Sequence, residues 1–214
     1  MRVGVLGTGE VGAALGAGFV RLGHEVRMGA REPRNQRAAE WARRTGPCAS
    51  YGTFADAAAF GELTVIATLG VAVEQALHAA GPGRFVGKTV IDATNPLVSV
   101  GGGPPTLAFG ASDSGGERVQ RLLSGAYVVK AFNTTPSLHM FRPELPSGPP
   151  EMLLCGNFPE SKRVVGEILE QFGWRPLDVG GIECSRYLET LALLRILCVQ
   201  KTGRLDLVFR LASI

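Results

Sequence analysis

The residues that restrict this chain to a narrow set of folds are Gly7-Thr8-Gly9-Glu10-Val11-Gly12, which follow the apolar run Val3 to Leu6 and lead straight into Ala13-Ala14-Leu15. Each glycine has a separate task at that junction. Gly7 permits the tight turn out of a strand, Gly9 lets bare backbone approach a diphosphate, and Gly12 removes a side chain where helix meets strand. The free amides at the start of the helix then face phosphate oxygens with a partial positive charge. The pattern predicts an N-terminal βαβ dinucleotide-binding unit, with Gly7, Thr8, Gly9, Glu10, Val11 and Gly12 as candidate binding residues and with Gly16 and Gly18 continuing a small face along the helix.

The end of the next strand decides which dinucleotide is preferred. An NAD site places Asp or Glu there, about 20 residues past the glycines, to accept hydrogen bonds from ribose hydroxyls. This chain has Ala30-Arg31 instead, and Arg31 stands 19 residues after Gly12. A guanidinium with Arg34 or Arg37 nearby suits a doubly charged 2′-phosphate, so the expected cofactor is NADP(H). Glu32 is the competing feature: it would pair with Arg31, or bind a ribose if the strand ended two residues later. Arg34 and Arg37 are equally readable as solvated charges on a helix.

Beyond this unit, short runs rich in Val, Ile and Leu alternate with helix-forming segments, the mark of parallel strands covered on both faces. Strands are expected at about 2–6, 24–28, 48–51, 63–68, 87–92 and 126–131, with helices at 10–22, 34–45, 53–60, 71–80 and 115–123. Gly23 closes the first helix, and Ser114 with Glu117 suggests a capping box. Two irregular stretches, 97–116 and 134–150, follow strand ends, where open α/β sheets hold ligands. A last run, strand 151–155, helix 159–171, strand 174–179 and helix 181–200, completes the chain. The fold class is thus α/β, a Rossmann-type doubly wound, mostly parallel sheet with a small α/β C-terminal extension. The division expected is 1–145 for the dinucleotide domain and 146–214 for a tightly packed lobe carrying the acceptor site and dimer contacts.

Composition excludes several classes. A net charge of +3 with no run of Lys and Arg argues against nucleic acid. Cys48, Cys155, Cys184 and Cys198 lack the close spacing of zinc or redox motifs, so no metal is expected and the thiols read as buried and reduced. Leu188 to Val199 is apolar but interrupted by Arg195 and far shorter than the roughly 20 residues of a membrane span. With a strand pattern starting at Met1, no leader is read, and a cytoplasmic location without membrane partners is expected.

The blocks Gly7-Thr8-Gly9 through Leu15, Leu22-Gly23-His24-Glu25-Val26 and Gly29-Ala30-Arg31 resemble the F420-dependent NADP oxidoreductase family, whose relatives include the cytosolic reductase domains of membrane ferric reductases. Val128 to Thr134, Cys155-Gly156-Asn157, Pro176 to Gly180 and Ser185 to Glu189 recur in that family in the same order. The resemblance implies NADPH over the glycine loop and an acceptor, F420 or FMN/FAD, docked at the nicotinamide, with electrons relayed to ferric iron in some branches. It implies that Thr8 and Arg31 hold the 2′-phosphate and that Thr68, Leu69, Asn95 and Pro96 line the far half of the cofactor. Asn133-Thr134-Thr135-Pro136 matches the segment beside the reacting rings. The deazaflavin reductases tend to carry His where this chain has Asn133, whereas the flavin-like and metal-reducing branches also use Asn.

Hydride transfer between planar rings needs no nucleophile or metal, only close positioning and exclusion of water. The candidate catalytic residues are therefore orienting groups. Asn133 can donate to a ring carbonyl and accept from a carboxamide, or it can bond its own loop. Thr135 can supply a donor, or it can cap the turn after Pro136. His139 is the one histidine near enough in sequence for proton transfer. Lys130, at the end of a buried strand, must find a carboxylate or reach the edge, where it would steer an anionic acceptor. Asp92 and Asp178, also at strand ends, read equally as loop caps. The alternatives are a non-catalytic NADP(H) sensor, or a reductase of a small imine or β-hydroxyacid for which only Lys130 is available as an acid. The terminal helix, apolar on much of its circumference, predicts a homodimer.

Overall fold

The computed structural model describes residues 1–99, 101–145 and 148–211. The chain runs β1 (Arg2–Leu6), α1 (Glu10–Arg21), β2 (Glu25–Ala30), α2 (Gln36–Thr45), β3 (Ala49–Thr53), α3 (Phe54–Phe60), β4 (Leu63–Ile66), α4 (Val73–Ala80), β5 (Thr89–Asp92), β6 (Leu97–Val98) and β7 (Thr106–Leu107). It continues through α5 (Gly115–Leu122), β8 (Tyr127–Lys130), β9 (Glu151–Gly156), α6 (Pro159–Gln171), β10 (Arg175–Asp178) and α7 (Ser185–Thr202). Eight strands form one sheet in the order β10-β9-β8-β5-β4-β1-β2-β3. All neighbours are parallel except β8 and β9, which pair through Val129 with Gly156 and Lys130 with Cys155. This is the expected Rossmann-type sheet.

The chain leaves β1 toward β2 and β3 on one side and returns to β4, β5 and β8 on the other. That reversal between β1 and β4 opens the crevice in which such sheets bind ligands. The strands beside it are buried on both faces: Val3, Val5, Leu63, Val65 and Ile91 face one core, and Leu6, Ile66 and Val90 the other. Continuous apolar runs are what two-sided burial requires, which is why these strands were readable.

Helix α1 packs close to its neighbours because its glycines admit bulky partners. A Cβ on Gly16 would lie 2.7 Å from Trp41, and one on Gly18 would lie 2.5 Å from Phe172. Gly23, at φ 84°, ends the helix as expected, its amide bonded to Val20 O. At the start of α5 the Ser114 hydroxyl accepts from the Glu117 amide, but the Ser114 amide goes to Asp113, so the box is half formed. The Glu117 carboxylate instead binds Arg186 at 2.8 and 2.5 Å, tying α5 to α7.

The stretch 97–116 is not wholly irregular: β6 and β7 form a short antiparallel pair, Leu97 with Leu107 and Val98 with Thr106. The C-terminal residues extend the same sheet through β9 and β10, and the expected boundary between 145 and 146 falls at residue 146, outside the described residues. Cys48 is exposed and Cys184 and Cys198 are half-buried, so only Cys155 matches the expectation of a buried thiol, and burial pushes it up to about 12. Among the described residues no helix is long and apolar enough to cross a membrane.

Candidate functional site

Two adjoining cavities open at the carboxyl ends of the central strands. The larger, about 1100 Å³, is lined by Gly7 to Val11 after β1, Ala30 to Glu32 at the end of β2, Ala67 to Leu69 after β4 and Ala93 to Asn95 after β5. It slightly exceeds the roughly 300–1,000 Å³ common for small-molecule sites. The smaller, about 260 Å³, shares Glu10, Val11, Ala93 and Asn95 with it and adds Phe132, Asn133, Thr135, Ser137 and Arg195.

The glycine loop has the geometry its spacing implied. Gly7 adopts φ 127°, and a Cβ there would meet Ala67 O at 2.4 Å. A Cβ on Gly12 would meet Gly7 O at 2.2 Å, so Gly12 serves close packing and does not itself line the cleft. Gly9 differs from both. It has an ordinary backbone (φ −77°), and a Cβ there would meet nothing within 4 Å. No packing inside the protein requires a glycine there, and Gly9 lines the cleft, where the motif predicts backbone open to a diphosphate. Glu10 accepts a hydrogen bond from Ser137 Oγ at 3.2 Å, joining the loop to the segment after β8.

Strand β2 extends to Ala30, two residues further than expected, so Arg31 is the first residue past its end. Arg31 and Glu32 both line the cleft, and they form no ion pair with one another. Arg37 and Asn35 line it too, whereas Arg34 is exposed and does not. Among the described residues neither Arg31 nor Arg37 has a carboxylate partner, which leaves two unneutralised guanidinium groups at one end of the cleft. Farther along, Thr68 Oγ1 is buried without a hydrogen-bond partner, and Leu69 stays 77% exposed at the rim. Pro96 is buried against Gly115 and lines neither cavity. The set of open backbone, paired cations and an orphaned hydroxyl fits a dinucleotide with a 2′-phosphate.

At the smaller cavity the backbone is strained. Phe132 takes φ 64° while fully buried against Phe172, ring centroids 5.4 Å apart. A bulky residue in that region costs on the order of 1–3 kcal/mol and persists where its surroundings over-determine it. It turns the chain sharply after β8 and delivers Asn133 to the cavity. Asn133 Nδ2 donates to Leu188 O at 3.0 Å and to Asn95 Oδ1 at 2.9 Å, and Asn95 Nδ2 donates back to Asn133 O at 2.8 Å. Only an amide NH₂ can donate to the Leu188 carbonyl, so the side-chain orientation is fixed. Both donors are thereby used, and Asn133 Oδ1 is left buried without a partner. Asn133 can accept from a ligand but has no proton left to donate, which corrects the two-way role. Thr135 Oγ1 is also buried and unpartnered. His139 lines neither cavity.

Lys130 does not reach the site. Its ammonium lies 2.9 Å from Asp92 Oδ2, 2.7 Å from Glu189 Oε1 and 2.8 Å from Thr94 O, wholly buried. Burial alone would lower its pKa, but Asp92 and Glu189 outweigh it and hold the ammonium above the ordinary lysine value. The second negative charge is met by the Gly115 and Gly116 amides at the start of α5, each 3.0 Å from Glu189, and by the Thr94 amide and hydroxyl on Asp92. Lys130 therefore cannot steer an acceptor, and Asp92 caps its loop while anchoring the lysine. Asp178, at the end of β10, accepts from the Gly180 amide and pairs with Lys162, far from the chemistry.

Arg195 of α7 is the residue that sequence reasoning passed over. It lines the smaller cavity, its Nε is buried without a partner, and burial with no carboxylate beside it lowers its pKa. It reads in sequence as an interruption of an apolar helix, and the only available signal was that very interruption. Among the described residues no cluster of His, Cys, Asp and Glu could hold a metal ion.

Comparison with known proteins gives consistent matches. Residues 2–96 match the family described as NADP oxidoreductase, coenzyme F420-dependent. A protein of Arthrobacter sp. FB24, provisionally named an F420-dependent NADP-reductase, superposes with TM-score 0.92 at 34% identity over 99% of both chains. The F420-dependent NADP reductase of Methanocaldococcus jannaschii is 35% identical over 113 residues, 51% of this chain and 50% of that protein. Metalloreductase STEAP3 of Rattus norvegicus is 27% identical over 195 residues, 90% of this chain and 36% of that protein. The chain thus spans about half or less of the curated relatives it matches. A reductive aminase of Aspergillus terreus solved with NADPH shares the fold, at TM-score 0.68 and 22% identity over 94% of this chain and 63% of that one.

Proposed function

Because the chain belongs to the family of F420-dependent NADP oxidoreductases, we propose that it transfers hydride between NADP(H) and a flavin-like acceptor, F420 or FMN/FAD, which in turn can pass electrons to ferric iron. The observation that carries this reading is the second cavity of about 260 Å³ that shares a wall with the dinucleotide cleft. Bound NADPH supplies the hydride. The chain's own part is binding and positioning: Gly7 to Val11 and the start of α1 hold the diphosphate, Arg31 and Arg37 the 2′-phosphate. Thr68, Leu69 and Asn95 flank the far half. Asn133 Oδ1 and Thr135 Oγ1 present an acceptor and a hydroxyl where the carboxamide and the second ring meet, and the buried wall excludes water.

Two rival readings lose support. A sensor without chemistry would have its loops closed over the nicotinamide, whereas the cavity is open. An imine or β-hydroxyacid reductase would use Lys130 as its acid, and that ammonium is locked between two carboxylates. Asn133, in place of the His usual in deazaflavin reductases, favours FMN or FAD over F420. The test is to mix the protein with NADPH and, separately, F420, FMN or FAD and follow the nicotinamide absorbance. Oxidation with at least one acceptor is expected; none with any of them defeats the proposal.

We further propose that the protein is a cytoplasmic homodimer; the dimer is supported by α7, which leaves Tyr187 73% and Leu194 49% exposed. Light scattering is expected to give twice the chain mass at micromolar concentration. A single-chain particle would end that reading.

A further inference from the structure

The smaller cavity holds two charged side chains of opposite character. Glu10 is exposed at the rim and already engaged by Ser137, so solvent screens it. Arg195 is half-buried, its Nε is sealed from solvent, and among the described residues it has neither hydrogen bond nor ion pair. A guanidinium N–H that is buried without a partner is costly and persists where a ligand supplies the missing acceptor. Among the described residues the one fully buried cation, Lys130, has been given two carboxylates, Asp92 and Glu189. The cavity also offers an unpartnered acceptor, Asn133 Oδ1, and an unpartnered hydroxyl, Thr135 Oγ1.

We infer that Arg195 receives the negative charge that hydride transfer delivers to the acceptor ring, and that the site is thereby selective for planar heteroaromatic acceptors whose reduced form is an anion. The inference rests on the function proposed above. In the step, the C–H bond at the nicotinamide breaks and both its electrons move with the hydrogen, leaving NADP⁺. A new bond to hydrogen forms at the acceptor ring, whose displaced electron pair settles on the ring's nitrogen–carbonyl edge. That edge becomes anionic and is later protonated from water. A cation fixed at this edge is bound more strongly by the product-like ring than by the neutral one, so it lowers the barrier and not merely the ground state.

The test uses the full chain with Arg195→Gln and Arg195→Lys, and F420, FMN and FAD in parallel. Arg195→Gln is expected to lower kcat roughly 100-fold with the acceptor KM changed by less than about threefold, and Arg195→Lys is expected to recover most of the loss. A second readout needs no turnover: with chemically reduced FMN bound, the pH at which the ring becomes anionic, followed by absorbance, should be higher by about one pH unit or more in Arg195→Gln than in the parent. Thermal midpoints and NADPH binding should match the parent. A raised KM with unchanged kcat would mean that Arg195 grips an anionic tail, and unchanged kinetics or an unchanged ring titration would mean that it fills space; each overturns the inference while the proposed function stands. If the parent protein oxidises NADPH with none of the three acceptors, both fall together.

Discussion

Lys130 and Glu189 meet 2.7 Å apart in the interior, 0% and 1% exposed, and so join the end of β8 to the middle of α7. Asp92 completes the group from β5. Removing the cation leaves two carboxylates buried together. Lys130→Met is therefore expected to destabilise the fold by about 3–5 kcal/mol, read as a shift in the urea midpoint. A loss below 1 kcal/mol would mean that the network is not a structural anchor.

The same group sets an alkaline limit. The folded pKa of Lys130 is raised above the ordinary 10.5, so the folded state holds its proton more tightly than the unfolded chain does. The associated stability is complete below the unfolded value and is lost as pH rises through the folded one. The parent should show a fall in melting temperature above pH 10.5 that Lys130→Met lacks. Parallel curves for the two proteins would contradict this.

At the acid end, Arg186 beside Glu117 holds that carboxyl below its ordinary 4.5 despite partial burial. Its contribution is present above the unfolded value and disappears as pH falls below it. Glu117→Gln should thus be less stable than the parent at pH 7, with the gap narrowing below pH 4.5 as the parent's carboxyl is protonated. A gap constant across that range would count against the pair.

Gly9 and Gly12 separate binding from folding. Gly9→Ala meets no protein atom, so its melting temperature should equal that of the parent while the Kd for NADPH rises about tenfold or more, since a methyl group stands where backbone must approach the diphosphate. Gly12→Ala collides with Gly7 O and should lose stability as well. Calorimetry with each variant checks both, and wild-type affinity in Gly9→Ala would remove the diphosphate from that loop.

Arg31→Asp tests the cofactor preference. Loss of a charge-assisted contact is worth about 1.5–3 kcal/mol, so the Kd for NADPH should rise at least about tenfold while that for NADH changes little. Equal losses for the two coenzymes would show that Arg31 does not read the phosphate.

Asn133→Ala removes an unpaired acceptor from the smaller cavity and takes the amide donor away from Leu188 O and Asn95 Oδ1. A drop in kcat of about 10- to 100-fold with a small change in NADPH affinity is expected. If kcat stays within threefold of the parent, Asn133 is a loop brace and not an orienting group.

The sequence by itself determined strand β1, the glycine loop and the position of Arg31, because each depends on a few consecutive residues: a positive φ, a free amide, an apolar run. It also required that Lys130, if buried, have a carboxylate, since an unpaired charge cannot remain there. Tertiary packing alone decided that the carboxylates are Asp92 and Glu189, that the Asn133 amide spends both donors on Asn95 and Leu188, and that Arg195 turns toward the acceptor cavity. Those outcomes depend on where α7 crosses the sheet, and no local spacing encodes the relative placement of elements distant along the chain. Arg195 was hidden for the same reason: one charge within the apolar part of α7 reads as an interruption until the helix is docked and the charge is found lining the smaller cavity.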